Sequence, residues 1–262
     1  MNTIRTPAVA GMFYPDNPDE LRTMVRKFLS ETKVSTEPVP KAIIAPHAGY
    51  IYSGPIAASV YARLAPAHHT ITKVVLLGPS HRIPLRGLAA TQMTNFATPL
   101  GHITIDTQAI NEITPLPQVS VLEQAHLSEH SLEVQLPFLQ EVLDDFTLIP
   151  LVVGEATPEE IDEVLDKLWG GEETVIVISS DLSHYQDYKT AQKMDNSISQ
   201  AIENLRPEEI DHEQACGRIP ISGLLHIARR KNMYAKTIDL RNSGDTAGPK
   251  NQVVGYGAYV FN

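Results

Sequence analysis

Four side chains in this sequence have types and positions suited to sharing a metal ion or a proton: His47, His81, Asp181 and His184. Each follows a short apolar run. Ala42-Ile43-Ile44-Ala45 leads into Pro46-His47-Ala48-Gly49, and Val74-Val75-Leu76-Leu77 into Gly78-Pro79-Ser80-His81. A third run, TVIVI, leads into Ser179-Ser180-Asp181-Leu182-Ser183-His184. One histidine at the end of an apolar run is an ordinary loop residue; three runs that end in polar clusters form a pattern. Two neutral imidazoles and a carboxylate make an open facial site for Fe(II) or Zn(II), with positions left for water, O₂ or substrate. A second titratable group held off the metal would handle protons, and histidine is suited to that near neutral pH.

For these clusters to meet, the runs that carry them must lie side by side and parallel. Apolar runs of four to six residues alternate with helical patterns, as expected of a mostly parallel sheet buried on both faces. Ligands bind outside the carboxyl ends of such strands, where His47, His81, Asp181 and His184 would converge. The expected fold is α/β, one domain over 1–262, with a mostly parallel central sheet flanked by helices and the site at the carboxyl ends of the strands. Besides the three runs, strands are predicted over 87–92, 102–105, 146–154, 233–240 and 252–261. Helices are predicted over 18–30, 54–64, 106–113, 157–170, 189–204, 207–215 and 220–231. An amphipathic helix over 128–143 should bend near Pro137. Thr157, Pro158 and Gly170 mark the 157–170 helix most clearly, as N-cap, first residue and stop.

The other candidates divide by context. His68 and His69 in PAHHT read as a surface loop, although an adjacent pair can bind metal. His102 alternates within a strand, His126 and His212 have no special setting, and His226 reads as a helix-face residue. His130, in SEHSLE, sits near an expected helix N-terminus, which disfavours an imidazolium. It is either a neutral histidine presented to a polar substrate or part of a capping cluster with Glu129 and Glu133 solvated. Cys216, the one cysteine, lies in ACGRIPISG with no histidine near it in sequence and reads as a packed loop-to-helix turn. A single cysteine excludes an intrachain disulfide and an all-thiolate zinc site. Ser53 and Ser80 lack a G-x-S-x-G setting, and GYGAY lacks the strand-then-helix setting of a phosphate loop.

The chain has 262 residues, 42% of them hydrophobic, enough for one sizeable core, and a formal net charge of −10. That balance argues against nucleic acid or an anionic membrane surface as the main partner. No apolar run approaches the ~18 residues that would span a bilayer. MNTIRTPAVAGMFYPD lacks the apolar stretch of a secretory signal, so a cytoplasmic protein is expected.

Seven ordered motifs resemble those of the Memo family, component B of the AmmeMemoRadiSam group: VAGMFYP (9–15), APHAGYIYSG (45–54), LGPSHR (77–82), EHSLEVQLPFL (129–139), SSDLSHY (179–185), ACGRIPI (215–221), and SGD with VVGYGAY (243–245, 253–259). The resemblance implies a fold similar to the class III extradiol dioxygenases, which are nonheme Fe(II) enzymes. His47 and His81 match the family's two metal-binding histidines. Asp181 and His184 match residues lining the same pocket, His184 standing where the dioxygenases keep their acid–base histidine, and His130 matches a histidine that faces substrate. Some Memo proteins are described with a cysteine as third ligand in the loop before the last strand. Here that loop, RNSGDTAGPKN (241–251), has none. Asp245 is the carboxylate available, with Ser243 the alternative in another register. A carboxylate would favour Fe(II) or Zn(II) over Cu(I).

The resemblance thus implies an Fe(II)-dependent oxidoreductase of dioxygenase type, with Zn(II) or Cu as other metals and catalytic roles for His184, Asp181 and His130. Two further readings stand beside it: a non-catalytic protein of the family holding a metal, peptide or small molecule, and a Zn-dependent hydrolase. The group name implies AMMECR1-type and radical-SAM partner proteins.

Overall fold

The computed structural model describes residues 3–211 and 214–262; His212 lies outside the described residues. In chain order the strands are β1 (Ile4–Arg5), β2 (Ala42–Ala45), β3 (Lys73–Pro79), β4 (Leu88–Ala90), β5 (Asn95–Thr98), β6 (Gly101–Ile105), β7 (Val119–Val121), β8 (Thr147–Val153), β9 (Thr174–Ser179), β10 (His184–Gln186), β11 (Ala235–Asn242) and β12 (Val253–Phe261). The helices are α1 (Pro18–Ser30), α2 (Tyr50–Tyr61), α3 (Thr107–Ile113), α4 (Glu123–Leu127), α5 (Leu136–Val142), α6 (Pro158–Lys167), α7 (Tyr188–Glu203) and α8 (Arg218–Arg230).

All these strands join one sheet in the path β1-β5-β6-β8-β3-β9-β2-β12-β10, with β11 on β12 and β4 on β8 and β7. The middle of the path, β6-β8-β3-β9-β2, is parallel throughout, and β12 closes it antiparallel to β2. Every residue of β2 and β9 is buried, the consequence of a parallel sheet covered on both faces. One continuous apolar core runs from Leu21 of α1 through these strands to Phe261. Among the described residues no helix is long and apolar enough to cross a membrane.

The helix starts follow local chemistry. Thr157 and Glu160 form a reciprocal capping box at the start of α6, satisfying donors a helix end leaves free. α2 starts at Tyr50, ahead of the expected residue 54, because Tyr52 N and Ser53 N already donate to Gly49 O. His47 therefore sits in a connection of four residues between β2 and α2.

Three expectations are corrected. The stretch 128–143 is not one bent helix. Residues 128–132 are non-helical, Glu133–Gln135 form a 3-10 turn, and α5 begins with Pro137 in its first turn. Proline fits a first turn, where its missing N–H is no loss, better than a helix interior. Nor are Glu129 and Glu133 solvated, since both are fully buried. Glu133 accepts hydrogen bonds from Arg5 Nη1 at 2.6 Å, Tyr14 Oη at 2.6 Å and the N–H groups of Ala8 and Val9. Arg5 also donates to the carbonyls of His126 and Glu129. The pair thus pins the N-terminal strand against the segment that carries His130, and both charges have their hydrogen-bonding groups occupied, as burial demands. Finally, within the expected 207–215 helix the described residues form only a 3-10 turn, Pro207–Glu209.

Candidate metal centre

Strand register determines which side chains meet. β9 lies between β2 and β3, with Ala45 opposite Ser179 and Leu77 opposite Ile178. Two residues past the first pair, His47 and Asp181 come level, and His47 N donates to Asp181 Oδ1 at 2.7 Å. His81 leaves β3 on the other side of β9. Its ring centroid is 5.2 Å from that of His47, and the His130 ring lies 4.5 Å from His81 and 5.4 Å from His47.

The hydrogen bonds around each imidazole determine which nitrogen is free. Ser179 Oγ donates its proton to Ser131 O at 2.5 Å and accepts from Gln135 Nε2 at 2.8 Å. It therefore meets His47 Nδ1, at 2.8 Å, as an acceptor, so Nδ1 carries the proton and the lone pair is on Nε2. Burial, then the neighbouring histidines His81, His130 and His184, push the His47 pKa well down and keep the ring neutral. His81 Nδ1 lies 2.9 Å from Glu129 Oε1, and the same carboxylate accepts from the N–H groups of His81, His130 and Ser131. Burial alone would raise the Glu129 pKa; the bonds from His81 and Ser131 outweigh it and hold it at about 2. An ionised acceptor makes His81 Nδ1 the donor and leaves Nε2 free. Outer carboxylate and hydroxyl partners of this kind orient metal-ligating histidines.

The third donor is one that sequence reasoning missed. Cys216 Sγ lies 3.3 Å from His47 Nε2 and accepts from Asp181 N at 3.3 Å. The ligand atoms of His47, His81 and Cys216 fall within 4.8 Å of one another. Gly217 permits this approach. Its N–H donates to Ser180 Oγ at 2.9 Å, and a Cβ there would sit 2.5 Å from Ser180 Cβ and 2.8 Å from Ser179 O. Gly217 is also the N-cap of α8, so the sulfur faces a helix N-terminus, which favours a thiolate. Against that, burial and then the Asp181 carboxylate raise the thiol pKa. The thiolate is thus favoured when a cation joins the group. Two free Nε2 lone pairs and this sulfur, each oriented from behind, fit a tetrahedral or facial N₂S metal set.

Asp181 and His184 flank the group. Asp181 is 4% exposed, and burial lifts its pKa to about 6 in spite of the N–H donors from His47 and Ala48. Its Oδ2 is 4.0 Å from His47 Nε2. A cavity of about 400 Å³ opens over Asp181, His130 and His184, walled by Phe13, Tyr52, Tyr185 and Tyr256. Burial, then His81, lower the His130 pKa to about 4, so it faces the cavity as a neutral ring, its Nδ1 buried and without a hydrogen bond. Tyr185, 71% exposed, has φ +59°, backbone strain of the kind that gathers at ligand sites.

Asp245 is not brought to the histidines. Its carboxylate accepts from Tyr188 Oη and from Asn242 N at 3.0 Å, and among the described residues it joins no group of potential metal ligands. Ser243 Oγ accepts from Val254 N at 3.1 Å and lines the cavity wall. Of the other histidines, His126 is buried with Nε2 3.0 Å from Ala89 O, and His226 Nδ1 meets Asp162 at 2.7 Å between α8 and α6.

A family model described as Memo-like protein matches residues 5–260. A MEMO1 family protein of Aquifex aeolicus is 38% identical over 271 residues, covering 98% of this chain and 99% of its own. One from Archaeoglobus fulgidus is 35% identical over 272 residues, with the same two coverages. One from Saccharolobus solfataricus is 34% identical over 282 residues, again covering 98% and 99%. The crystal structure of an uncharacterized protein, JW3007 from Escherichia coli K12, superposes with a TM-score of 0.54 at 12% identity, covering 84% of this chain and 98% of that one; it shares the fold.

Proposed function

The chain belongs to the Memo family, and on that premise we propose that His47, His81 and Cys216 hold a redox-active metal ion, Fe(II) first, in an oxidoreductase site of dioxygenase type. The observation that carries this reading is the convergence of three oriented donors beneath a cavity lined by further titratable groups. The thiolate replaces the expected carboxylate of Asp245, a softer donor that suits Fe(II) and Zn(II) and also admits Cu(I). When bound, Fe(II) supplies Lewis acidity and one-electron chemistry toward O₂ and a chelating substrate.

The chain's own residues supply the rest. Glu129 and Ser179 hold the two imidazoles as Nε2 ligands. Asp181, with its pKa near 6, exchanges a proton at Oδ2 around neutral pH, where a general acid or base works best. His184, half-buried at the cavity edge, relays that proton to solvent or substrate. His130 offers a neutral imidazole to orient a polar ligand. Phe13, Tyr52 and Tyr256 line the cavity with aromatic rings against which a ligand could pack.

Elemental analysis of untagged protein purified without oxygen, with His47→Ala and Cys216→Ser beside it, tests the centre. About one iron per chain, lost in both variants, is expected; no metal in the parent after reconstitution with Fe(II) or Zn(II) would remove the reading. The Cys216 donor also favours a second reading, metal binding without turnover, since a thiolate holds Zn(II) or Cu(I) firmly. Oxygen consumption by the iron-loaded protein across catechol-like substrates under reducing conditions separates the two, because a pure binding protein consumes none.

A further inference from the structure

A second group of ligand atoms lies at the other end of the sheet. His68 and His69 precede β3 and Asp144 precedes β8, at the amino ends of those parallel strands. The seven residues of β3, at 3.3 Å each, put about 20 Å between them and the His81 end. His68 Nδ1 is 3.2 Å from Asp144 Oδ1, and His69 Nδ1 contacts Asp144 Oδ2. The two rings lie 3.6 Å apart between centroids. All three ligand atoms fall within 4.8 Å of one another.

The arrangement is set by the backbone. Asp144 N donates to His68 O at 3.3 Å, and Thr147 N donates to Thr72 O at 2.9 Å, where β3 and β8 start in register. The N–H groups of His68, Thr70 and Ile71 close a tight turn on Ala65 and Ala67. The donors thus sit on two segments already joined to each other. Ligand atoms around a tetrahedral zinc ion stand about 3.3 Å apart at ordinary Zn–N and Zn–O lengths, close to the His68–Asp144 separation.

We propose that His68, His69 and Asp144 form a second, surface site for a borderline divalent cation such as Zn²⁺. Two imidazoles and one carboxylate select Zn²⁺, Ni²⁺ or Cu²⁺ over Mg²⁺ and Ca²⁺, which prefer all-oxygen shells. A cation accepting both ring lone pairs would balance the charge of the one carboxylate that the two closely set, tilted imidazoles share. Asp144 also lines a cleft of about 600 Å³, together with Asp145 and His102. Bound to the three side chains, the ion clips the turn before β3 to the start of β8.

Calorimetric titration of the metal-free chain with ZnCl₂ tests the proposal. The parent is expected to bind two equivalents, and His69→Ala and Asp144→Asn are each expected to lose one of them or weaken it at least tenfold. His47→Ala is expected to remove only the other, so failure of the Cys216 centre and failure of this site are read separately. His68, His69 and Asp144 are all substantially exposed, and an unchanged melting temperature of the metal-free variants confirms folding. Zinc should also shift the His68 and His69 imidazole resonances in the His47→Ala chain. Identical zinc stoichiometry and affinity in the parent, His69→Ala and Asp144→Asn, or no zinc uptake at all, would overturn the proposal.

Discussion

Glu129→Gln tests how the candidate centre is held together without touching a ligand. Glu129 is 1% exposed, and its two oxygens accept four hydrogen bonds, from His81 Nδ1 and from the N–H groups of His81, His130 and Ser131. A glutamine has one oxygen. If it stays where Oε1 is now, the amide NH₂ is turned against the His81 N–H, a donor against a donor. The lowering of the Glu129 pKa from 4.5 to about 2 converts by linkage to roughly 3 kcal/mol at pH 7. Part of it comes from charge on His81, so about 2–3 kcal/mol is the expected loss. For a chain of this size that lowers Tm by about 5–10 °C. The sign is fixed by the direction of the shift. A carboxylate whose folded pKa is depressed stabilises above its unfolded pKa, and the contribution fades as pH falls through the folded value. The gap between parent and variant should therefore shrink to about 1 kcal/mol at pH 3. The glutamine also leaves His81 Nδ1 without its ionised partner, and such changes weaken metal binding about 10–100-fold. Melts of the metal-free proteins at pH 7 and pH 3, with a zinc competition titration at pH 7, read both effects. A variant melting within about 1 °C of the parent and binding zinc within about twofold would refute the argument that Glu129 positions His81.

Three other substitutions probe the same region. Gly217→Ala drives a methyl group into Ser180 and the Ser179 carbonyl; it should cost about 1–3 kcal/mol by overpacking and, by displacing Cys216, weaken metal binding at least tenfold in a chelator competition. Asp245→Ala should leave metal content unchanged by elemental analysis while lowering stability by about 1 kcal/mol, because Tyr188 and Asn242 lose their acceptor. Asp195, 3% exposed on α7, has its pKa raised by burial from 3.8 to about 6. A raised carboxylate binds its proton more tightly folded than unfolded, so the parent loses stability from pH 4 to pH 7. Asp195→Asn removes that slope, a relative gain of roughly 2 kcal/mol by urea unfolding at the two pH values.

Four strands of the parallel block, β2, β3, β8 and β9, were legible because each is a short apolar run buried on both faces. α6 was legible from Thr157, Pro158 and Gly170, and the structure adds the Glu160 side chain that completes its cap. The losses occur where tertiary contacts override local pattern. The spacing around Leu132, Leu136 and Leu139 suggested one long helix, yet Glu129 and Glu133 are drawn inward by His81 and Arg5, partners 48 and 128 residues away. No local window carries that pairing. β1, β7 and β10, of two or three residues, are too short for any periodicity to reveal.

Asp245 was the expected third ligand because it precedes the last strand, and the register of that strand explains why it is displaced. β12 runs antiparallel to β2 with Tyr259 opposite Ile44, and continuing the register brings Tyr256 level with His47. The loop before Val253 therefore lies several residues beyond the histidines, at the cavity mouth, where Ser243 forms wall and Asp245 turns to Tyr188. The place beside His47 is filled from the segment before α8, by a cysteine 169 residues away in sequence, next to the Gly217–Ser180 contact. The only local hint was a small residue next to a cysteine at a helix start. The exchange of carboxylate for thiolate has a chemical consequence. A thiolate in place of a carboxylate broadens the centre's selectivity from hard toward soft cations. The metal content of His47→Ala, Cys216→Ser and Asp245→Ala, measured together, reads the donor set directly: loss in the first two with retention in the third is the pattern this geometry requires.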